Sequence, residues 1–175
     1  METLYSPGGR SLWSSMSTKL SYETVKGNYF EFRRNYEQDG TIACSAGRSF
    51  SGEGRFPWAI TPVAGVAAGK SQGLSLGVNT TLAYKKLSFS SCIRETVFCA
   101  TGQRGFLFSW SELEYKLTDH LTAGPVMQQT WSYGGGNVCE PGGMIALSFG
   151  GWAFPFYLFK SGSEAYCVEA GICYQ

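Results

Sequence analysis

Glu112 and Glu114 lie two residues apart in a segment whose residues alternate between apolar and polar types. In a strand this spacing places both carboxylates on one face, and paired carboxylates can perform glycoside cleavage. Three cations accompany them, because Lys116 follows on the same face while Arg94 and Lys85 are expected to point inward from neighbouring strands. Opposite charges gathered this closely favour ion pairing over catalysis. We therefore predict that these five residues form a charge network in the interior of the fold.

His120 is the single histidine of the chain and directly follows Asp119. A Ser/His/Asp relay requires three groups that meet in space, which sequence alone does not establish. A histidine within a Thr-Asp-His turn is more typical of a solvated turn residue. The glycine-rich segments lack the following helix that a phosphate cradle needs, and no paired metal-ligand motif occurs. We predict no catalytic residue, no metal and no cofactor.

Phe106, Phe108 and Trp110 alternate along one face just before the two glutamates. Such a row forms a stacking platform for a sugar or a lipid at the mouth of a barrel, or it forms part of a core. A bulge near residues 109–111 would reconcile this row with the apolar residues that follow on the opposite face. The three aromatic residues are the predicted binding platform.

The segments that position these residues alternate with a period of two, which is typical of β-strands. In 56–68, 74–84 and 121–131 one face carries large apolar residues and the other carries Ser, Thr, Gly, Ala and Asn. Short turns separate the runs, so they indicate an antiparallel meander. We predict an all-β fold, an antiparallel up-and-down β-barrel of about 8–10 strands over residues 19–175, preceded by a flexible N-terminal arm over residues 1–18.

The polar face of these strands is unusually poor in charge. Charged residues make up 15% of the chain, whereas soluble domains carry roughly a quarter. An apolar face turned toward lipid and a small polar face turned toward a lumen explain both patterns together. Aromatic residues near the turns, which belong at membrane interfaces, agree with this orientation: Trp58, Tyr84, Tyr115, Trp131, Tyr133 and Trp152.

The stretch LEYKLTDHLTAGPVMQQTW, from Leu113 to Trp131, is an alternating strand, a Thr-Asp turn and a second alternating strand. It resembles the periplasmic-turn hairpins of small bacterial outer-membrane β-barrel proteins, and the final run EAYCVEAGICYQ is a weaker example of the same pattern. The resemblance implies an integral barrel in the outer membrane. The N-terminus shows no apolar segment long enough for a signal peptide, and an extracellular or periplasmic location is the alternative.

A barrel of eight to ten strands is almost filled by its own side chains, so we expect a narrow barrel and not a wide pore. The preferred function is a structural or surface-recognition role through the loops at 50–56, 98–104 and 134–142. Membrane lipid is the expected partner, with a protein partner possible at the loops, and the net charge of +1 indicates no nucleic acid.

Two other functions fit the same pattern. A soluble β-barrel or β-sandwich would bind a small apolar ligand or a protein partner. An envelope enzyme would modify lipid, although no strong catalytic constellation supports it. The six cysteines predict up to three disulfides in an oxidising compartment, with buried free thiols as the alternative.

Overall fold

In the part of the chain that the structure describes, the alternating segments form a single antiparallel sheet of thirteen strand segments. The computed structural model describes residues 2–6, 15–34, 40–70, 72–99, 105–161 and 165–174, with side chains for 17–34, 40–70, 72–99, 105–160 and 166–174. No helix in these ranges is long and apolar enough to cross a membrane. In chain order the segments are β1 Glu2–Ser6, β2 Ser15–Glu23, β3 Asn28–Arg34, β4 Thr41–Arg48, β5 Phe50–Gly52, β6 Trp58–Gly69, β7 Gly73–Tyr84, β8 Leu87–Phe98, β9 Phe106–Lys116, β10 Leu121–Ser132, β11 Asn137–Phe149, β12 Trp152–Ser161 and β13 Ala165–Tyr174.

Apart from β4 and β5, each described strand pairs with the strands that precede and follow it, and the two ends of the chain complete the ring. β1 pairs with β13, with Glu2 opposite Cys173. β4 pairs with β3 on one side and with β6 on the other, so the described strands return on themselves as a closed barrel. One residue, Ser49, separates β4 from β5, and β5 pairs with β6 in the same register as β4 does. The thirteen segments therefore occupy twelve positions in the barrel wall, because β4 and β5 share one of them.

The two ends of the barrel differ in how their strands are joined. Tight turns connect β7 to β8 and β11 to β12, and the φ angles of 55° and 84° at Gly150 and Gly151 suit a type I′ hairpin. The same end of the barrel carries the turns from β2 to β3 and from β9 to β10, and the first residue of β1. We call it the short-turn end. Outer-membrane barrels have short turns at the periplasmic end and longer loops outside.

The large apolar residues face outward, as the alternation predicted. Leu76 is 62% exposed and Ile60 and Trp58 are each 42% exposed, whereas their strand neighbours Ser75 and Thr61 are buried in the lumen. Exposed aromatic residues surround the short-turn end of this outer surface: Tyr22, Trp58, Tyr115, Trp152 and Tyr174. The outer surface thus has the composition that a lipid-facing barrel requires.

Three sequence predictions about the strands need correction. The predicted flexible arm, residues 1–18, contains β1 and the start of β2, and these two strands raise the count above ten. The glycine-rich loop predicted at 134–142 is largely strand, because β11 begins at Asn137 and pairs with β10 from Leu121 to Trp131. The predicted loop at 50–56 includes β5 and lies at the short-turn end. Of the predicted loop at 98–104, residues 100–104 lie outside the described residues.

Candidate functional site

The lumen encloses a cavity of about 850 Å³. Most of its wall comes from the strand halves next to the short turns, where hydroxyl groups predominate; examples are Thr61, Ser88, Ser90, Thr122 and Ser148. This free space was not expected from eight to ten strands. Twelve wall positions give a wider barrel, because the diameter grows with strand number.

A buried ionic cluster fills the lumen on the β3 side. The Glu31 carboxylate is fully buried, and its Oε1 atom lies 2.8 Å from the Nε atom of Arg33 and 3.2 Å from the Nη2 atom of Arg94. The Tyr29 hydroxyl donates a hydrogen bond of 2.7 Å to the Oε2 atom of Glu31. One carboxylate therefore pairs with two guanidinium groups, and all four side chains are nearly excluded from solvent.

The bridge between Glu31 and Arg94 spans the inside of the barrel. β3 and β8 are separated in the wall by β4, β6 and β7, so their side chains meet across the lumen and not along one ladder. Arg94 is held further by Asn79, whose Oδ1 atom accepts a 2.8 Å hydrogen bond from Nη2. Gly77 lies opposite Arg94 in the ladder, and a Cβ atom there would approach the Arg94 Cδ atom to 2.5 Å. A glycine at this position lets the arginine lie against the wall.

An apolar cluster fills the lumen on the opposite side. Val126, Met144, Ala146, Tyr157 and Phe159 are buried together across β10, β11 and β12. The Trp110 ring of β9 packs edge-on against the Tyr157 and Phe159 rings at centroid distances of 5.1 and 5.2 Å. Gly142 lies opposite Phe159, where a Cβ atom would come within 2.8 Å of the Phe159 ring.

The residues of the predicted charge network occupy separate places. Arg94 pairs with Glu31 and not with the two glutamates of β9. Glu112 is buried and accepts a hydrogen bond from the indole N–H of Trp110, while Glu114 accepts one of 3.4 Å from the Ser88 hydroxyl. Both carboxylates line the cavity.

The two lysines of the predicted network lie at the short-turn end. Lys116 is half exposed and pairs with Asp119 at 3.0 Å. Lys85 lies in the β7–β8 turn with a φ angle of 54°, and its ammonium group lies 5.3 Å from the centre of the Tyr84 ring. The structure therefore brings neither lysine to the carboxylates of β9.

Phe106, Phe108 and Trp110 face the lumen on the same side of β9 as Glu112. The register between β8 and β9 runs without interruption from Phe106 to Tyr115, so the predicted bulge near 109–111 is wrong. Phe108 and Trp110 line the cavity, whereas Phe106 packs against Phe98 at 5.9 Å. Two of the three platform residues thus reach the space that a solute could occupy.

His120 lies at the short-turn end outside the cavity. Its Nδ1 atom is 3.0 Å from the Ser148 carbonyl oxygen, and its ring stacks on Phe149. In the described ranges no group of three or more His, Cys, Asp or Glu residues is placed to hold a metal ion.

No disulfide joins any of the six cysteines, so the predicted disulfides are wrong. Cys167 and Cys173 belong to one extended strand, where six residues span roughly 20 Å, far beyond disulfide range. Cys92 faces the lumen, and its sulfur accepts a 3.3 Å hydrogen bond from Arg33.

Sequence reasoning missed Glu31, which pairs with Arg94, and Arg33, which shares the same carboxylate. A signal was present, because Tyr29, Glu31 and Arg33 occupy alternate positions of a predicted strand whose other face carries Phe30 and Phe32. Three polar residues in a row on the lumen face of a strand indicate an interior network.

Solved structures similar to this chain are outer-membrane porins. The KdgM porin in complex with disordered oligogalacturonate aligns with a TM-score of 0.71 and 11% identity, over 100% of this chain and 99% of that chain. The NanC porin aligns with a TM-score of 0.73 and 9% identity, over 99% and 98% of the two chains. OccK5 from Pseudomonas aeruginosa gives a TM-score of 0.53 at 12% identity, and the match covers 98% of this chain and 60% of that one.

Two comparisons of the sequence, with family models and with curated proteins, find no match. The structural matches extend over nearly the whole of this chain and of the KdgM and NanC porins. The chain therefore has the porin β-barrel fold, as the resemblance of its hairpins to outer-membrane barrels implied.

Proposed function

We propose that this protein is an outer-membrane channel that admits small, uncharged, hydroxyl-rich solutes such as short neutral sugars. The observation that carries the proposal is the division of the barrel into an apolar outside and a hydroxyl-lined cavity inside. A soluble barrel would reverse this arrangement, with large apolar residues inside. An outer surface of exposed Leu, Ile, Val and Phe is stable only in contact with lipid.

The orientation in the membrane follows from the two ends of the barrel. Short turns mark the periplasmic end in outer-membrane barrels. The cavity lies mostly in the strand halves next to those turns, so it would form a vestibule on the periplasmic side. The buried ionic and apolar clusters narrow the lumen beside it, which makes the channel selective for small solutes.

The charges of the cavity wall argue for an uncharged solute. One structural neighbour, by its title, holds an acidic oligomer, oligogalacturonate. The acidic and basic side chains along this cavity comprise four carboxyl groups, of which Glu112 is buried, and two cations: Glu23, Glu112, Glu114, Glu169, Lys19 and Arg33. An excess of fixed negative charge repels an anionic oligomer. Hydroxyl groups beside the Phe108 and Trp110 rings suit a neutral sugar, which presents both hydroxyl groups and an apolar ring face.

A structural or surface-recognition role through the loops is the second candidate. It is favoured by the amount of the lumen that buried side chains occupy, since a barrel filled in this way can be a scaffold. The two roles differ in one measurable property, because a scaffold conducts no ions and passes no solute.

The test begins with purified protein in detergent, where a folded barrel changes its gel mobility on heating. The protein is then placed in planar lipid bilayers and in liposomes, and liposome swelling is measured with glucose, with maltose and with galacturonate oligomers. We expect discrete conductance steps, and swelling with the neutral sugars that exceeds swelling with the acidic oligomers. A folded barrel that gives no conductance and no swelling would overturn the channel proposal in favour of the scaffold.

A matched pair of variants on β8 shows whether the solute path is the lumen. Ser90→Trp places a bulky ring on the cavity wall, and Phe89→Trp makes a smaller change on the outward face next to it. We expect slower swelling with the first variant and the parental rate with the second. Equal rates in all three proteins would place the path elsewhere.

A further inference from the structure

We propose that Glu31 is a specificity-determining residue for charge in this channel, because it cancels one of two lumen arginines that attract anions. The inference rests on the proposed channel function and adds a specificity-determining residue to it. Glu31, Arg33 and Arg94 together carry a net charge of +1 when all three are ionised. Without the carboxylate the same cluster would carry +2.

The geometry shows that one carboxylate serves both arginines. The same atom, Oε1 of Glu31, lies within 3.2 Å of a guanidinium nitrogen of Arg33 and of Arg94. The two arginines approach from different walls, so the carboxylate is covered on both sides and its side chain has no solvent exposure. Its charge therefore acts on the arginines through a medium that screens poorly.

The cluster is close enough to the solute path to affect it. Tyr29 and Arg33, which contact Glu31, both line the cavity, as does Asn79, which accepts a hydrogen bond from Arg94. An ion in the cavity thus passes beside the residues that surround the carboxylate. Rings and clusters of charged side chains determine which ions a pore admits.

The surrounding wall explains why this single charge matters. The cavity wall carries more carboxylates than cations, so the parent channel should prefer cations weakly. One elementary charge about 10 Å from an ion in water changes the local concentration of a monovalent ion about twofold. Since anions and cations respond in opposite directions, the ratio of their permeabilities changes about fourfold.

The experiment measures reversal potentials in planar bilayers under a KCl gradient. Glu31→Gln keeps the size of the side chain and an acceptor oxygen while it removes the charge. We expect the ratio of chloride to potassium permeability to rise about fourfold. Arg94→Gln removes one cation from the cluster, and we expect the ratio to fall by a similar factor.

Two further variants separate charge from structural disturbance. The double variant Glu31→Gln with Arg94→Gln restores the net charge of the cluster to +1, so its ratio should return to the parental value. Glu53→Gln removes a carboxylate from an exposed turn outside the lumen and should leave the ratio unchanged. Heat-dependent gel mobility shows for each variant that the barrel is folded. If Glu31→Gln does not fold, Arg94→Gln and the double variant decide the question.

The possible results separate this inference from the channel proposal. Conducting single variants whose reversal potentials equal that of the parent would overturn the role of Glu31 and leave the channel intact. A folded parent protein that conducts no current would overturn the channel proposal, and this inference with it.

Discussion

The two sides of the lumen are filled by opposite means. On the β3 to β8 side, small residues leave room for a bridge of charged groups that crosses the barrel, with Glu31 at its centre. On the β9 to β12 side, rings and aliphatic chains such as Phe159 and Trp110 pack directly against one another. Each side places a glycine beneath one of its large side chains, Gly77 beneath Arg94 and Gly142 beneath Phe159.

This difference predicts which kind of substitution lowers the stability of each side. A buried ion pair contributes little net stability when complete, but removal of one partner leaves an uncompensated charge. An apolar cluster loses stability in proportion to the volume that is removed and to how far the site can relax. The ionic side should therefore be sensitive to charge and the apolar side to volume, which makes the comparison testable residue by residue.

The largest expected effect comes from breaking the bridge. Glu31→Ala leaves Arg33 and Arg94 buried without their shared carboxylate, which should lower the free energy of unfolding by about 3–5 kcal/mol. Denaturant unfolding in lipid vesicles measures this loss. Glu53→Ala, on an exposed turn, is the control and should change it by less than about 0.5 kcal/mol. Equal losses in the two variants would mean that the bridge does not hold the two walls together.

A second pair of variants tests the division between the inside and the outside on a single strand. Ile93 lies near the middle of β8 and faces outward, whereas Ser90 lines the cavity. Ile93→Arg should cost about 2–4 kcal/mol, because it places a charge in the lipid near the bilayer midplane. Ser90→Arg, with the same new charge, should fold with a much smaller loss. The reverse ranking in vesicle unfolding would show that the faces have been assigned the wrong way round.

The apolar side should respond more gently to truncation next to the cavity. Met144 is buried in the cluster and also lines the cavity, so Met144→Ala opens space that joins existing space. We expect a loss of about 2 kcal/mol, at the low end for such truncations. Met127→Ala on the lipid-facing surface is the control, and vesicle unfolding compares the two. A loss for Met144→Ala no greater than that of the control would remove the case for a packed cluster.

Much of the fold was predictable from alternation alone. Outward Leu76 and inward Ser75 occupy the faces that the period of two assigned, because the register of a strand fixes the side of every residue. The alternation also continues through β2, where Leu20 and Tyr22 face outward. The Ser- and Gly-rich start of the chain obscured that strand, and β1 is too short, at five residues, to show a period.

The candidate site was less predictable, because its contacts join distant parts of the chain. Glu31 and Arg94 are separated by 63 residues and by three intervening wall positions. Sequence shows which residues point inward, but which of them meet depends on the number of strands and on the shape of the barrel. The register between β8 and β9 places Arg94 opposite Phe108, away from the glutamates of β9, and its side chain crosses the lumen to β3.

The smallest expected effect concerns an ion pair of the same chemistry placed in water. Lys116 and Asp119 pair at 3.0 Å in the β9–β10 turn, where the hydrogen bond from Lys116 and then its charge lower the pKa of Asp119. A carboxyl pKa lowered by folding stabilises the folded state above its ordinary value of about 3.9, and the contribution is lost as the pH falls through the folded pKa.

Lys116→Met should raise the pKa of Asp119 to its usual range, as measured by NMR titration of the Asp119 carboxyl carbon in micelles. Lys86→Met is the matched comparison, because the Lys86 charge lowers the same pKa less, and it should move the titration less. Added salt should shrink both differences, since water and ions screen an exposed pair but not the bridge inside the barrel. If the pKa of Asp119 changes neither in the two lysine variants nor with added salt, this account of the turn is wrong and the contrast between exposed and buried pairs is weakened.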